Sequence, residues 1–387
     1  MYGTLQTKAN FAMTRQTSVI SVFNNKGVVG KTTLSFHLGH ALADMGKKTL
    51  FVDLDPQCNL SIYALSANMI EELWLAEDEF IDSGFDQSTT KLGTDQFKAL
   101  IASPRSIHFL LKPTEEGTGE LSDLPPPIEI AKNLDLIPGR LTMHMYEDRI
   151  STRWSDIYRG DPLAIRTVTR IRSLIDDYAI KHGYDVVIVD TSPSLGSLNK
   201  VAISTVDGFL VPCLPDVFSL YGIKNIGRSV DRWHQEMTLI KGLVSETKMK
   251  DFPAESMKFL GFTIYNARKY TGSTKWDLAQ AHHNYADRIP DTIDKYIPNS
   301  VRTTIDDDVL RTPIGGKAVM HSHNTLPSMA NKYRSPMWRI PELTNLDDED
   351  RQTILGNRKT YEDTKTAYKK FAKAVLERMA QAHGDVK

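Results

Sequence analysis

The sequence predicts an α/β fold: a doubly wound, mostly parallel sheet with helices on both faces. Three observations carry that expectation. Four runs, "TSVISVF" (17–23), "TLFVDLD", "YDVVIVD" (184–190) and "VDGFLVPCLP" (206–215), are nearly continuous in Val, Ile, Leu and Phe rather than alternating with polar residues, as in strands buried on both faces of a parallel sheet. Helical stretches such as "AIRTVTRIRSLIDDYAIKHG" separate them. After the first run comes a glycine loop, and then Leu34, Leu38, Ala41, Leu42 and Met45 recur at helical spacing up to Gly46, giving strand, loop and helix in succession.

A further strand is expected in "FLGFTIYNARK" (259–269), its end pointing to the sheet edge where α/β folds place ligands. Between the strands, Glu71 to Asp95 holds eight acidic residues against one lysine, and "PTEEGTGELSDLPPP" (113–127) is rich in Pro, Gly and Glu. Together they read as an acidic, peripheral insertion at about 66–130 joined by a mobile loop. Tyr361, Thr364, Tyr368, Phe371, Val375, Met379 and Ala382 recur at intervals of three or four, an amphipathic C-terminal helix. Its modest apolar face lacks Trp, which favours docking on the sheet or on a partner subunit over membrane attachment. The expected organisation is one α/β domain over 1–340 and a helical extension over 341–387 packed on it.

Composition narrows the class. With 41% hydrophobic and 25% charged residues over 387 positions, the chain can bury a large core, although length alone leaves the domain count open. A formal net charge of -1 gives no overall field drawing it to nucleic acid or membrane, so any such binding is local. Cys58 and Cys213 are too few for a disulfide framework or a cysteine-based zinc site. The first 18 residues hold no apolar signal core, and no run approaches the roughly 20 residues of a membrane span. A cytoplasmic protein with reduced thiols and no membrane span is expected.

The loop "NKGVVGKTT" (25–33) matches the GKT end of a Walker A motif, with Asn25 in place of the initial glycine. In such a loop, backbone N–H groups over Gly27, Val28, Val29, Gly30, Lys31, Thr32 and Thr33 cradle phosphate oxygens at a helix start. Lys31 neutralises the β and γ phosphates, and the Thr32 hydroxyl ligates magnesium.

Lys26 beside this loop, "VDLDPQ" after it, and then "NLDLIPG" (133–139), "VVIVDTSPSLG" (186–196), "VPCLPDVFSLYGI" and "IPNS" (297–300) fall in one order. In these motifs the chain resembles the ParA/MinD family of deviant Walker A ATPases, whose loop reads KGGxGKT and whose next strand ends in DxDPQ. The resemblance covers Thr17 to about Asn331 and is closer to the ParA branch. It implies a SIMIBI-type P-loop fold, ATP and Mg2+ as cofactors, and an ATP-dependent homodimer with a protein partner, either an adaptor or an effector. It implies that Lys26 reaches the ATP of the other subunit, that Asp55 positions the attacking water, and that Asp190 holds magnesium through water. Asp53 would lie near the magnesium shell, and Asn266 occupies the place where relatives contact adenine. The plainer alternative is that strand-end aspartates cap the following helices and that a turn Asn needs no ligand; three aspartates converging beside a GKT loop favour the site.

Three positions depart from the family pattern. Cys58 replaces a glycine common after DPQ, Ser192 stands where proline is frequent, and Val28 replaces the second glycine of KGG. The first two read as mild. Val28 is expected to strain the loop by about 1 to 3 kcal/mol if its φ is positive, and so to slow turnover.

Between Val309 and Pro341 lie Arg311, Lys317, Lys332, Arg334 and Arg339, with His321 and His323 and no acidic residue. This is either a stripe for non-specific contact with DNA phosphates, as in ParA relatives, or a solvated face of paired charges. Only 16 residues precede the first strand, so no helix-turn-helix is expected there. The resemblance points to a ParA-type ATPase for DNA partition or cargo positioning, with a regulatory ATPase gating an effector such as a toxin or nuclease as the alternative. A redox role like that of nitrogenase iron proteins lacks their later cysteine pair, and no GxGxxG for dinucleotide binding follows the first strand.

Overall fold

A computed structural model describes residues 17–27, 29–249, 252–253, 255–272, 274–302 and 304–384. Seven strands, β1 (Ser18–Val22), β2 (Thr49–Asp53), β3 (Ile128–Ala131), β4 (Leu134–Ile137), β5 (Val186–Asp190), β6 (Gly208–Cys213) and β7 (Lys258–Ile264), form one sheet. Their order is β3-β4-β2-β5-β1-β6-β7, and every pairing is parallel except that of the edge strand β3 with β4. The expected doubly wound, mostly parallel sheet is present. β2, β5 and β6 are buried along their whole length, which is why their sequences do not alternate. β7 stops five residues short of the expected strand, because Asn266 turns the chain with a φ of 57°.

Register decides what meets at the sheet's C-terminal edge. β2 and β5 pair so that Asp53 lies opposite Asp190, and β5 in turn pairs with β1, which runs into the glycine loop. Three chemistry-bearing segments therefore emerge side by side.

The acidic segment is built of helices, Ala67–Leu75, Asp78–Asp82, Phe85–Leu92, Thr94–Ile101 and Ile107–Glu116. Phe80, Phe85 and Phe109 pack ring against ring at 5.2 to 5.5 Å between centroids and join the main core. A buried network ties the segment down: the Glu77 carboxylate accepts from Ser106 N at 2.7 Å and Ser106 Oγ at 2.5 Å and pairs with Arg140.

The C-terminal extension ends in helices Asp348–Gly356 and Arg358–Ala382. The longer one lays its periodic apolar residues, Tyr361, Tyr368, Phe371, Val375 and Met379, into the core, against the helix Lys31–Asp44 and β7. Arg378, 5% exposed, donates to three backbone carbonyls, those of Leu260 at 2.7 Å and of Val309 and Thr312 at 2.8 Å. Burial lowers its pKa to about 10, so it stays charged at neutral pH. Replacing a buried donor leaves its acceptors unpaired, at about 1 to 3 kcal/mol for each group that water does not reach. Arg378→Met is expected to cost about 3 kcal/mol in urea unfolding; a loss below about 0.5 kcal/mol would show that these carbonyls find other donors.

Candidate nucleotide site

The loop after β1 is shaped by Asn24. Its Nδ2 donates to Pro212 O at 2.7 Å, and its Oδ1 accepts from Lys26 N at 2.9 Å, a side-chain turn that swings the chain away from the strand. The loop closes at Gly30, whose φ of 75° suits glycine, and a Cβ there would lie 2.3 Å from the Tyr265 ring. Both backbone and space require that glycine. The helix Lys31–Asp44 starts at the next residue, with no side-chain cap on its first N–H groups, the ordinary anion-binding arrangement of a helix N-terminus. Val28 lies outside the described residues; Val29 is buried.

Lys31 is 7% exposed, and its Nζ reaches Lys26 O at 3.3 Å. Burial lowers its pKa, opposed by the charges of Asp190 and Asp55. Thr32 Oγ1 donates to Asp190 Oδ2 at 2.9 Å, and Ser35 Oγ donates to Oδ1 at 3.3 Å. Asp53 Oδ2 accepts from both the N–H and the hydroxyl of Ser61, at 2.8 and 2.6 Å, while Oδ1 accepts from Asp55 N at 3.2 Å. Asp55 is held by Gln57 N at 2.9 Å and Asn59 Nδ2 at 3.1 Å.

Asp53 and Asp190 are fully buried. Burial pushes the Asp53 carboxyl well above the usual carboxylate range, with the Asp190 charge adding to it and the Ser61 hydrogen bonds opposing it. Burial likewise raises Asp190, against the Thr32 hydrogen bond. A neighbouring cation relieves that stress. Among the described residues no group of three or more His, Cys, Asp or Glu forms a metal cage. A hydroxyl and one or two carboxylates beside a phosphate loop suit Mg2+, which takes few protein ligands and completes its shell with phosphate and water.

Lys26 Nζ pairs with Asp216 Oδ2 at 2.5 Å and lies 5.3 Å from the centre of the Phe218 ring. Asp216 also accepts from Ser219 N at 2.8 Å, capping the helix Val217–Leu243. On the other side of the loop, Gly30 and Thr33 face a cavity of about 320 Å³ whose far wall is Tyr265, Asn266, His321, His323 and Asn324. Burial lowers the His323 pKa to about 4, leaving a neutral ring at pH 7.

Lys31, Thr32, Asp53, Asp55 and Asp190 thus meet at one sheet edge, with Asn266 on the adjoining cavity. Ser35, Ser61, Asp216 and Tyr265 escaped the sequence reading. Ser35 follows Thr32 by three residues on one helix face, and "DVFS" is a helix-start pattern, so two of these were findable. The basic residues of 309–341 form no open stripe. Arg311 pairs with Asp291 and Asp294, Lys317 with Asp277, Lys332 with Asp347 and Asp350, and Arg339 with Asp44, while Arg334 Nε donates to Leu65 O. Cys58 is not a mild departure: its φ of 52° is left-handed, a conformation costing a side-chain-bearing residue about 1 to 2 kcal/mol. Ser192 is the mild one, its carbonyl accepting from Asn199 Nδ2 at 2.8 Å.

The AAA domain family matches residues 17–241 of this chain. The Methanocaldococcus jannaschii protein MJECL24 is 28% identical over 257 residues, 66% of this chain and 75% of its own. The chromosome partitioning protein ParA of Caulobacter vibrioides is 24% identical over 302 residues, 78% of this chain and 86% of its own. The structure of pNOB8 ParA bound to nonspecific DNA superposes with a TM-score of 0.51 over 94% of this chain and 98% of that one, at 16% identity, a likeness of fold.

The raised carboxyls set a pH dependence. Above about pH 4 an unfolded Asp has lost its proton, whereas the buried Asp53 retains it, so Asp53 contributes stability at low pH that is lost as pH rises towards neutrality. Without nucleotide, the unfolding free energy of wild type relative to Asp53→Asn is expected to fall between pH 4 and 7; a flat or rising difference contradicts the assignment.

Proposed function

Because the chain belongs to the ParA/MinD family of deviant Walker A ATPases, we propose that it is a ParA-type ATP-gated dimerisation switch. It binds non-specific DNA and a protein partner, and serves DNA partition or cargo positioning. The observation that carries this reading is the Thr32–Asp190 hydrogen bond beside the buried Lys31, at the point where β1 and β5 emerge together. Thr32 and Asp190 would hold Mg2+, which neutralises charge on the transferring phosphoryl group. Lys31 binds the β and γ phosphates. Asp55, fixed by Gln57 and Asn59, orients the attacking water. Asp53 acts through its hydrogen bonds with Ser61 and the Asp55 amide, which fix the start of the Asp55 loop. The adenine occupies the cavity beside Asn266 and Tyr265. Lys26 is held by Asp216 in the single chain, and exchanges that carboxylate for the second subunit's phosphates on dimerisation.

Size measurement with ATP, with ADP and without nucleotide tests the switch. Lys31→Ala is expected to weaken nucleotide binding itself, Lys26→Ala to abolish ATP-driven dimerisation while ADP still binds, and Asp55→Ala to bind ATP but hydrolyse it slowly. Val28→Gly is expected to raise phosphate release. Equal ATP-driven dimerisation by wild type and Lys26→Ala would overturn the trans role.

DNA contact draws on cations that carry no carboxylate partner among the described residues. Lys224 and Arg288 line a cavity of about 260 Å³ with Tyr221 and Tyr296, and Lys295 lies 5.5 Å from the centre of the Tyr296 ring. Cations interleaved with aromatic rings suit a nucleic-acid backbone. Lys224→Glu with Arg288→Glu is expected to weaken ATP-dependent binding to every DNA sequence alike and reduce the salt slope by about 2. Lys332→Glu with Arg334→Glu is expected to leave binding unchanged, and the opposite result would return the contact to the paired stripe.

A further inference from the structure

The recess that carries Lys224 and Arg288 is more than a positive spot. It lies between the start of helix Val217–Leu243 and helix Ile289–Tyr296, two elements packed against each other. Its volume is about 260 Å³, below the roughly 300 to 1,000 Å³ of sites that enclose drug-sized ligands. One planar ring system with part of its sugar is the load it can take. Val217 and Leu220 supply apolar lining, and Tyr221 and Tyr296 supply two aromatic rings. Tyr221 is 61% exposed, a large ring standing in water beside a cation. Lys224 Nζ lies 5.9 Å from the centre of that ring and 5.5 Å from the centre of the Tyr296 ring. A cation over an exposed ring gains only about 0.5 to 1 kcal/mol, so the ammonium can leave either ring for a phosphate at little cost. What it uncovers is an aromatic face.

Charge and shape together identify the ligand. Among the described residues no carboxylate lines the recess. Asp291 and Asp294, on the helix Ile289–Tyr296, are engaged by Arg302 and Arg311, and Asp287 beside Arg288 lies outside the lining. The cations call for an anion and the rings for a planar partner, which together describe a nucleotide. Thr292 adds a hydroxyl at the wall, able to donate to or accept from any base edge. Duplex DNA cannot use such a recess fully. Its bases are stacked on one another and present only their edges in the grooves, while its backbone needs cations and hydrogen-bond donors rather than ring faces. An unpaired base offers its flat face, and stacking on an aromatic side chain is worth about 1 to 3 kcal/mol per base whatever the base.

Resting on the DNA-binding part of the function given above, we propose that this recess binds one unpaired nucleotide of single-stranded DNA, its base against Tyr221 and its phosphate on Lys224 and Arg288. Double-stranded DNA still meets the two cations, through phosphates alone. The site therefore prefers a single strand, and the preference comes from the ring.

The test uses the full chain with saturating ATP and Mg2+, which keep bases out of the nucleotide cavity. A short fluorescein-labelled oligo-dT is compared by anisotropy with a mixed-sequence duplex of the same length. The single strand is expected to bind more tightly by about fivefold or more, from one stacked base. Raising the salt is expected to widen that ratio, since stacking escapes the screening that weakens phosphate contacts. Tyr221→Ala is expected to bring the two affinities within about twofold, and Tyr221→Phe, which keeps the ring, to preserve the preference. A 2-aminopurine placed in the single strand reports the contact itself: its emission is expected to fall on binding wild type and to hold on binding Tyr221→Ala. Equal or tighter binding of the duplex, or a preference that survives Tyr221→Ala, overturns the pocket and leaves the DNA reading standing. Displacement of the oligo-dT by AMP at the same concentration as the strand would make a free nucleotide the occupant and overturns the assignment to DNA. Binding of neither form sinks the DNA reading and the pocket with it.

Discussion

Two carboxyl groups set opposite each other, buried at the ends of adjacent parallel strands, are the constraint around which the rest of this protein is arranged. Burial makes the Asp53 carboxyl hold its proton and raises Asp190 beside it, and two carboxyl groups so placed need hydrogen-bond partners on every side. Those donors define the neighbouring architecture. Thr32 and Ser35 require the helix Lys31–Asp44 to start at the mouth of the loop, and Ser61 requires a short helix directly after β2. Gly139 leaves room for the Asp53 carboxyl, since a Cβ there would stand a tight 3.0 Å from it. Burial raises both carboxyls, a stress that a neighbouring cation relieves.

The C-terminal extension reaches the same place from behind. Tyr265 fills the space over Gly30, and its hydroxyl lies 3.2 Å from that of Tyr368 on the last helix. The Tyr368 ring lies 4.9 Å from His37 on the loop's own helix and 5.8 Å from both His323 and Trp338. The ring cluster makes the back of the cavity beside Asn266 continuous with the extension, so the extension supports that cavity's wall rather than standing apart.

Much of this was legible in sequence because buried parallel strands and a glycine loop are local patterns. The runs at 17–23, 184–190 and 206–215 contain β1, β5 and β6, and Asp53 and Asp190 end their strands as expected, with Asp55 two residues beyond β2. The periodicity of 361–382 likewise marked the face that packs inward. What escaped depends on residues far apart in the chain. Arg311, Lys317, Lys332 and Arg339 look unopposed within their own stretch, yet their carboxylates come from positions 291, 294, 277, 347, 350 and 44. Cys58 looked innocuous because a residue type does not announce a left-handed backbone. The Pro/Gly-rich stretch conceals a helix as far as Glu116, with Pro113 inside it, and its later Pro125 carbonyl accepts the Tyr178 hydroxyl at 2.7 Å.

The free side of β7 is partly covered. Its outward carbonyls at Leu260 and Phe262 are taken by the Arg378 guanidinium and by Ile314 N, and Gly261 between them suits its place both by a φ of 114° and by leaving room for that guanidinium. A bare strand edge invites another molecule to continue the sheet, the usual first step towards fibrous aggregates. Here two of the edge carbonyls are occupied, one by a cation reaching across from the last helix and one by the Ile314 amide. Growth of an ordered assembly by strand addition at these two positions would first have to displace Arg378 and the Ile314 amide.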